Sequence, residues 1–170
     1  IMGYAIATAI HGAQNCITFN DRVYEFVSNS TVKYVVLASP FARLIDNANM
    51  VDAEGKLYFN GAEITFNGLV KLVDKIRDLG KIPVIFTPPP ADGTDLGNCL
   101  FRHELRNEPL DNCDFDRENI LSVKTEVASQ LRAITAANVV DLTDLICDSD
   151  TCHASLEGFY LYRDTGHLSF

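Results

Sequence analysis

The chain has 170 residues, 14 Lys+Arg against 23 Asp+Glu for a formal net charge of −9, and 47% hydrophobic and 22% charged residues. That balance is that of an ordinary soluble globular domain and excludes disorder and collagen-like repetition; a chain this long buries roughly 70% of the surface its unfolded form exposes, so its core needs neither metal nor disulfide. The acidic balance, with no Lys/Arg run, argues against nucleic acid or anionic lipid as an electrostatic partner.

No stretch reaches the roughly 20 apolar residues of a membrane-spanning helix, and the start lacks the charged segment of a secretory signal. The sequence opens inside a strand-like pattern and stops directly after a motif, which predicts a piece of a longer chain.

In chain order, residues 4–10 read as a strand. A helix follows over 21–27, with Val23, Phe26 and Val27 on one side and Thr18 or Asn20 as its cap. Residues 33–38 form a continuous apolar, β-branched run, the pattern of a parallel strand covered on both faces. Leu57 to Asn60 and Glu63 to Phe66 flank an Asn-Gly turn signal and predict a hairpin. Leu69, Leu72, Val73, Ile76 and Leu79 predict a helix over 68–79 that stops at Gly80. Residues 82–87 read as a strand, the Pro- and Gly-bearing stretch 88–112 as a long loop, 117–134 as a helix and 138–142 as a strand. Strand alternating with helix predicts a doubly wound α/β fold with a mostly parallel sheet, in a single domain over residues 1–170. In such sheets ligands bind beyond the carboxyl ends of the strands, the side from which the 88–112 loop leaves.

Five cysteines stand at 16, 99, 113, 147 and 152. None is in a C-x-x-C or paired Cys/His spacing, so no metal site is expected. Cys147 and Cys152 flank four polar residues and predict one disulfide; Cys99 and Cys113 bracket a polar segment and predict a second, which together imply an oxidising compartment. Cys16 is left over.

The densest cluster of reactive side chains is Tyr160-Leu-Tyr-Arg-Asp164-Thr-Gly-His167-Leu-Ser169. An Asp three residues before a His can hold its Nδ1–H and leave Nε2 as a base, the orienting half of a Ser-His-Asp triad. The D-x-x-H-L-S block, preceded by the Cys147/Cys152 loop, resembles the final block of SGNH hydrolases. More narrowly, it resembles the SGNH domain attached to bacterial acyltransferase-three membrane O-acyltransferases. Cys16 with Phe19-Asn20, the Tyr34 to Ala38 strand, Gly80-Lys-Ile-Pro-Val-Ile85 with its proline-rich exit, Cys99-Leu-Phe-Arg102 and Leu145-Ile-Cys147 extend the resemblance over nearly the whole chain.

The resemblance implies a three-layer α/β/α, flavodoxin-like domain in the periplasm or another extracytoplasmic space, attached to an integral-membrane acyltransferase domain. Its serine would take an acyl group from a donor and pass it to a glycan hydroxyl, with Asp164 as the acid, His167 as the base and no cofactor. The sequence contains no Gly-Asp-Ser, the segment that carries the family's nucleophile. The serine is therefore expected before Ile1, a closing helix after Phe170, and the chain alone is expected to be inactive. Gly12 stands where the fold places an oxyanion N–H donor. Ser39-Pro-Phe41-Ala-Arg43 makes the oxyanion and substrate side, with Phe41 where relatives commonly carry Trp.

Ser39 and Ser169 lie in no nucleophile elbow. His11, His103 and His153 lack mutual ligand spacing and read as structural or surface residues, Asn29-Ser30-Thr31 matches a glycosylation sequon, and Asp111, Asp114 and Asp116 lack the Gly and Glu of a calcium loop. A glycan O-acetyl esterase and a non-catalytic glycan-binding or docking domain are the alternatives. A nucleotide binder would need a glycine-rich phosphate loop after a strand, which is absent.

Overall fold

A computed structural model describes residues 4–6, 10–46 and 48–169. In chain order the elements are β1 (Tyr4–Ile6), α1 (Ile10–Asn29), β2 (Tyr34–Ala38), a 3-10 turn (Ala42–Leu44), β3 (Met50–Asp52), β4 (Leu57–Tyr58), α2 (Gly61–Asp78), β5 (Ile82–Phe86) and α3 (Leu96–Arg106). They continue with β6 (Phe115–Asp116), α4 (Ser122–Arg132), β7 (Asn138–Val140), α5 (Leu142–Ile146), β8 (Thr151–Cys152), β9 (Ser155–Leu156) and β10 (Phe159–Tyr160). Two compact units result, Ile1–Phe86 with Ser129–Val140 and Thr87–Ala128 with Asp141–Phe170.

The first unit is built on a parallel sheet in the order β2-β5-β7, as the α/β pattern predicts. Pro83 is tolerated inside its middle strand for a local reason. Ile82 N donates to Lys33 O at 2.9 Å, so the next position turns toward β7, whose ladder begins only at Val84. A second, antiparallel sheet has the order β1-β3-β4. α2 turns Thr65, Leu69, Val73 and Ile76 inward at helical spacing. It ends in a Schellman motif: Gly80 has φ 72°, and Gly80 N and Lys81 N donate to Arg77 O and Ile76 O.

The second unit gathers Leu96, Leu100, Phe115, Ile146, Ala154 and Tyr162 around the disulfides Cys99–Cys113 and Cys147–Cys152. The Asp95 carboxylate caps α3 by accepting Asn98 N–H at 3.0 Å, and Asp141 caps α5 by accepting Thr143 N–H at 3.0 Å. Buried Thr87 ties this cap down by donating to Asp141 Oδ1 and accepting Leu142 N–H.

Several expectations are corrected. Of the strand expected over 4–10, Tyr4–Ile6 forms β1, antiparallel to β3, and Ile10 already begins α1; residues 7–9 lie outside the described residues. α1 is far longer than 21–27, because much of its added length is exposed and so carries no apolar period. The hairpin over 57–66 does not form. β4 pairs with β3, and Gly61 begins α2, where a Cβ would sit 2.0 Å from Ala48 O; the Asn-Gly signal marks a close backbone approach, not a two-residue turn. The 88–112 loop contains α3. The helix over 117–134 shortens to α4 because Arg117 N and Leu121 N are taken by Asp150 O and Ala91 O, outside any helical ladder. β2, read as covered on both faces, exposes Tyr34 and Val36.

Candidate active site

Residues 161–169 fold back on themselves. Ser169 N donates to Leu161 O, Tyr162 bridges Leu168, and Arg163 N donates to His167 O at 2.9 Å, closing a loop over 163–167. Within it, Asp164 Oδ1 accepts the backbone N–H groups of Gly166 and His167, each at 3.0 Å. The same carboxylate takes His167 Nδ1–H, at 2.8 Å to Oδ1 and 3.0 Å to Oδ2. These donors, the Gly166 N–H first and the imidazole next, hold Asp164 well below the usual carboxylate range.

An ionised Asp164 fixes the proton of neutral His167 on Nδ1 and leaves the Nε2 lone pair to act as base. Among the described residues Nε2 has no hydrogen-bond or ion-pair partner, and the His167 side chain is 64% exposed. Arg163 Nε stands 3.5 Å from the outer carboxylate oxygen of Asp164.

The loop is held by residues that sequence reasoning missed. Buried Tyr162 donates its hydroxyl to Pro90 O at 2.8 Å, and burial pushes its phenol above the ordinary value. Gly97, in the first turn of α3, faces Arg163: a Cβ there would lie 1.9 Å from Arg163 O and 2.8 Å from Asp164 N. A glycine inside a helix is costly by about 1 kcal/mol, and the available signal was this glycine right after a good Asp cap.

A second pair of the same chemistry stands in the same unit. His153 Nδ1 meets Asp114 Oδ2 at 2.8 Å while Asp114 Oδ1 accepts Ala154 N–H at 2.8 Å. Here the other ring nitrogen is also engaged, 3.6 Å from Asp148 Oδ2. The Asp114 hydrogen bond, against some desolvation, raises His153 above its ordinary value and favours imidazolium. His103, on α3, has Nδ1 2.9 Å from Glu108 Oε2 and lies with Cys99 and Cys113 in one group whose ligand-type atoms are all within 4.8 Å.

The remaining candidates, Ser169 excepted, belong to the first unit. Gly12 lies in the first turn of α1, where backbone N–H groups have no intrahelical acceptor. Ser39 follows β2 and accepts Phe41 N–H at 3.3 Å. Phe41 has φ 50°, a left-handed conformation that costs a bulky residue about 1 kcal/mol or more. Arg43 pairs with Asp46 one turn on. Ser169 Oγ, in the second unit, is spent on Tyr160 O. Cys16 is a free, exposed thiol on α1. No helix among the described residues is long and apolar enough to cross a membrane.

A parallel sheet with helices and an Asp-x-x-His loop near the C-terminus define an α/β protein of the SGNH-hydrolase fold. A solved structure, that of the Salmonella ser. Paratyphi A lipopolysaccharide acetyltransferase periplasmic domain, has the same fold, with TM-score 0.60 and 15% identity, over 89% of this chain and 56% of that one. This chain thus spans little more than half of that neighbour. The profile of the family described as SGNH domain (fused to AT3 domains) matches residues 3–170, and the chain belongs to that family. No curated protein matches it.

Proposed function

We propose that this chain supplies the acid-base half of an extracytoplasmic carbohydrate O-acyltransferase site. Serine Oγ, carried by a Gly-Asp-Ser segment outside these residues, attacks an acyl donor while His167 Nε2 takes its proton. The leaving group departs with that proton, and a glycan hydroxyl then attacks the acyl-serine ester, giving its own proton to Nε2 and restoring the serine. Asp164 stabilises the imidazolium in both steps; in the first unit, the first-turn N–H of Gly12 is a candidate oxyanion donor and Ser39, Phe41 and Arg43 are candidate substrate contacts. The fused AT3 domain brings the acyl group, acetyl by analogy with the Salmonella neighbour, and the two disulfides suit an oxidising compartment.

The observation that carries this reading is the Asp164–His167 pair, bonded at 2.8 Å on one ring nitrogen and open on the other. The test is acyl transfer to glycan by the longer protein that contains the chain. His167→Ala should lower it roughly 10²- to 10⁴-fold, the worth of a positioned base, and full activity in that variant would refute the assignment. The absence of Gly-Asp-Ser from the sequence favours a second reading, a glycan-binding domain. Glycan binding unchanged in His167→Ala, with no transfer or esterase turnover by the parent protein, would establish it.

A further inference from the structure

Apart from the proposed acyl-transfer site, α3 carries a set of side chains with metal-ligand chemistry. Cys99 and His103 are four residues apart on α3 and so share a face, and Cys113, buried at the end of the 3-10 turn Leu110–Cys113, comes up beside them. One sulfur from each cysteine and one ring nitrogen lie mutually within 4.8 Å. A tetrahedral zinc ion with Zn–S of about 2.3 Å and Zn–N of about 2.0 Å separates its ligands by roughly 3.5–3.8 Å. The two sulfurs, 2.00 Å apart in the disulfide, must therefore part by about 1.7 Å once reduced, while the imidazole nitrogen closes on them by about 1 Å at most. His103 Nδ1 is buried and accepts or donates no hydrogen bond among the described residues; Glu108 Oε2 stands 2.9 Å from it as an acidic neighbour only.

In the disulfide form both sulfurs are bonded to each other and offer no thiolate. We propose that, once this bond is reduced, Cys99, Cys113 and His103 form a zinc(II) site, so that the dithiol form of the domain is a metal-binding form. The chemistry balances. A small dithiol reductant gives two electrons and two protons to Cys99–Cys113 and becomes a disulfide itself; zinc(II) then displaces the two thiol protons and binds two thiolates and one neutral imidazole. Bound metal would keep these two thiols together and away from Cys16, Cys147 and Cys152 before the bond is made. Contrary to the sequence reading that no Cys/His spacing is present, Cys99 and His103 make a C-x-x-x-H spacing, passed over because residues 88–112 read as loop, where it has no fixed geometry.

The test uses the whole chain, oxidised or reduced with a small dithiol that is then removed under anaerobic conditions, titrated with cobalt(II) and then zinc(II). The Cys147→Ser/Cys152→Ser variant removes the competing dithiol. Its reduced form should take one cobalt(II) with thiolate charge-transfer absorption, which zinc(II) abolishes, and its oxidised form none. His103→Ala should weaken binding at least tenfold, whereas His153→Ala should not change it. Equal cobalt binding by oxidised and reduced protein, or unchanged affinity in His103→Ala, would overturn the proposal. If reduction unfolds the chain, zinc(II) should restore its native circular dichroism, because a ligand that binds only the folded form stabilises it; failure to do so would overturn the proposal equally.

Discussion

The second unit contains two aspartate-histidine pairs that begin alike and end differently. In both, a carboxylate held by backbone N–H groups takes the Nδ1 side of an imidazole at 2.8 Å. The difference lies on the far nitrogen. His153 finds Asp148 there, and its Asp114 partner is only 15% exposed, so the ring is clamped between two carboxylates that favour its protonated form. His167 finds no partner there among the described residues, and its ring stands in the open. A clamped imidazolium ties segments together but has no lone pair to offer, whereas a ring held on one side only has its base free. A short carboxylate-histidine distance therefore does not identify a catalytic base; the surroundings of the second nitrogen do.

The largest contrast should come from removing each ring in the longer, active protein. His167→Ala should reduce acyl transfer roughly 10²- to 10⁴-fold with a melting temperature close to that of the parent, since an exposed side chain contributes within about 0.5 kcal/mol. His153→Ala should invert this, leaving transfer within a few-fold while costing about 1–3 kcal/mol, because Asp114 is left poorly solvated and short of a partner; chemical denaturation beside the transfer assay reads both.

The Asp114–His153 pair rests on the disulfide frame at both ends, since Asp114 follows Cys113 and His153 follows Cys152. Breaking Cys99–Cys113, which closes 14 residues of sequence separation, should cost about 3 kcal/mol, and breaking Cys147–Cys152, which closes 5, about 2 kcal/mol. Denaturant midpoints of the Cys99→Ser/Cys113→Ser and Cys147→Ser/Cys152→Ser proteins measure this order.

Tyr162→Phe sharpens the contrast from the other side. It leaves Pro90 O without its buried donor and should cost about 1–3 kcal/mol, and because Tyr162 enters the His167 loop it should lower kcat as well. A stability loss with unchanged kcat would show that the loop keeps its shape without this anchor.

The smallest effect is the pH dependence. The folded-state value of His153 lies above its ordinary 6.5, so the stability it supplies is full below about pH 6.5 and is lost as pH rises through the raised value. Asp164 runs oppositely: depressed from 3.8, it supplies stability above that pH that is lost as pH falls through its lower folded value. Melting temperatures across the neutral range should thus fall with rising pH in the parent and flatten in His153→Ala. An unchanged slope would show that His153 is not clamped as described.

The parallel strands, the cysteine pairing and the Asp164–His167 pair were legible because each rests on local pattern: β-branched runs, cysteines across short polar segments, and a three-residue spacing inside one turn. What escaped depends on close approach between segments distant in sequence. Gly61 opens a helix against Ala48 O, so its Asn-Gly signal read as a hairpin, and Gly97 sits under Arg163 O, so α3 was hidden in a stretch read as loop. With α3 hidden, the face shared by Cys99 and His103 was hidden too. The His153–Asp114 pair, 39 residues apart, leaves no local spacing to read.

The most direct measurement is nitrogen-15 NMR of the histidine side chains at a pH where an ordinary imidazole is neutral, in the parent and in Asp164→Asn. The account predicts that His167 shows one tautomer, with the proton on Nδ1 and Nε2 bare, that this preference collapses in Asp164→Asn, and that His153 retains imidazolium character to higher pH than an ordinary histidine. A His167 ring that carries its proton on Nε2, or that is indifferent to Asp164→Asn, would contradict its assignment as the base.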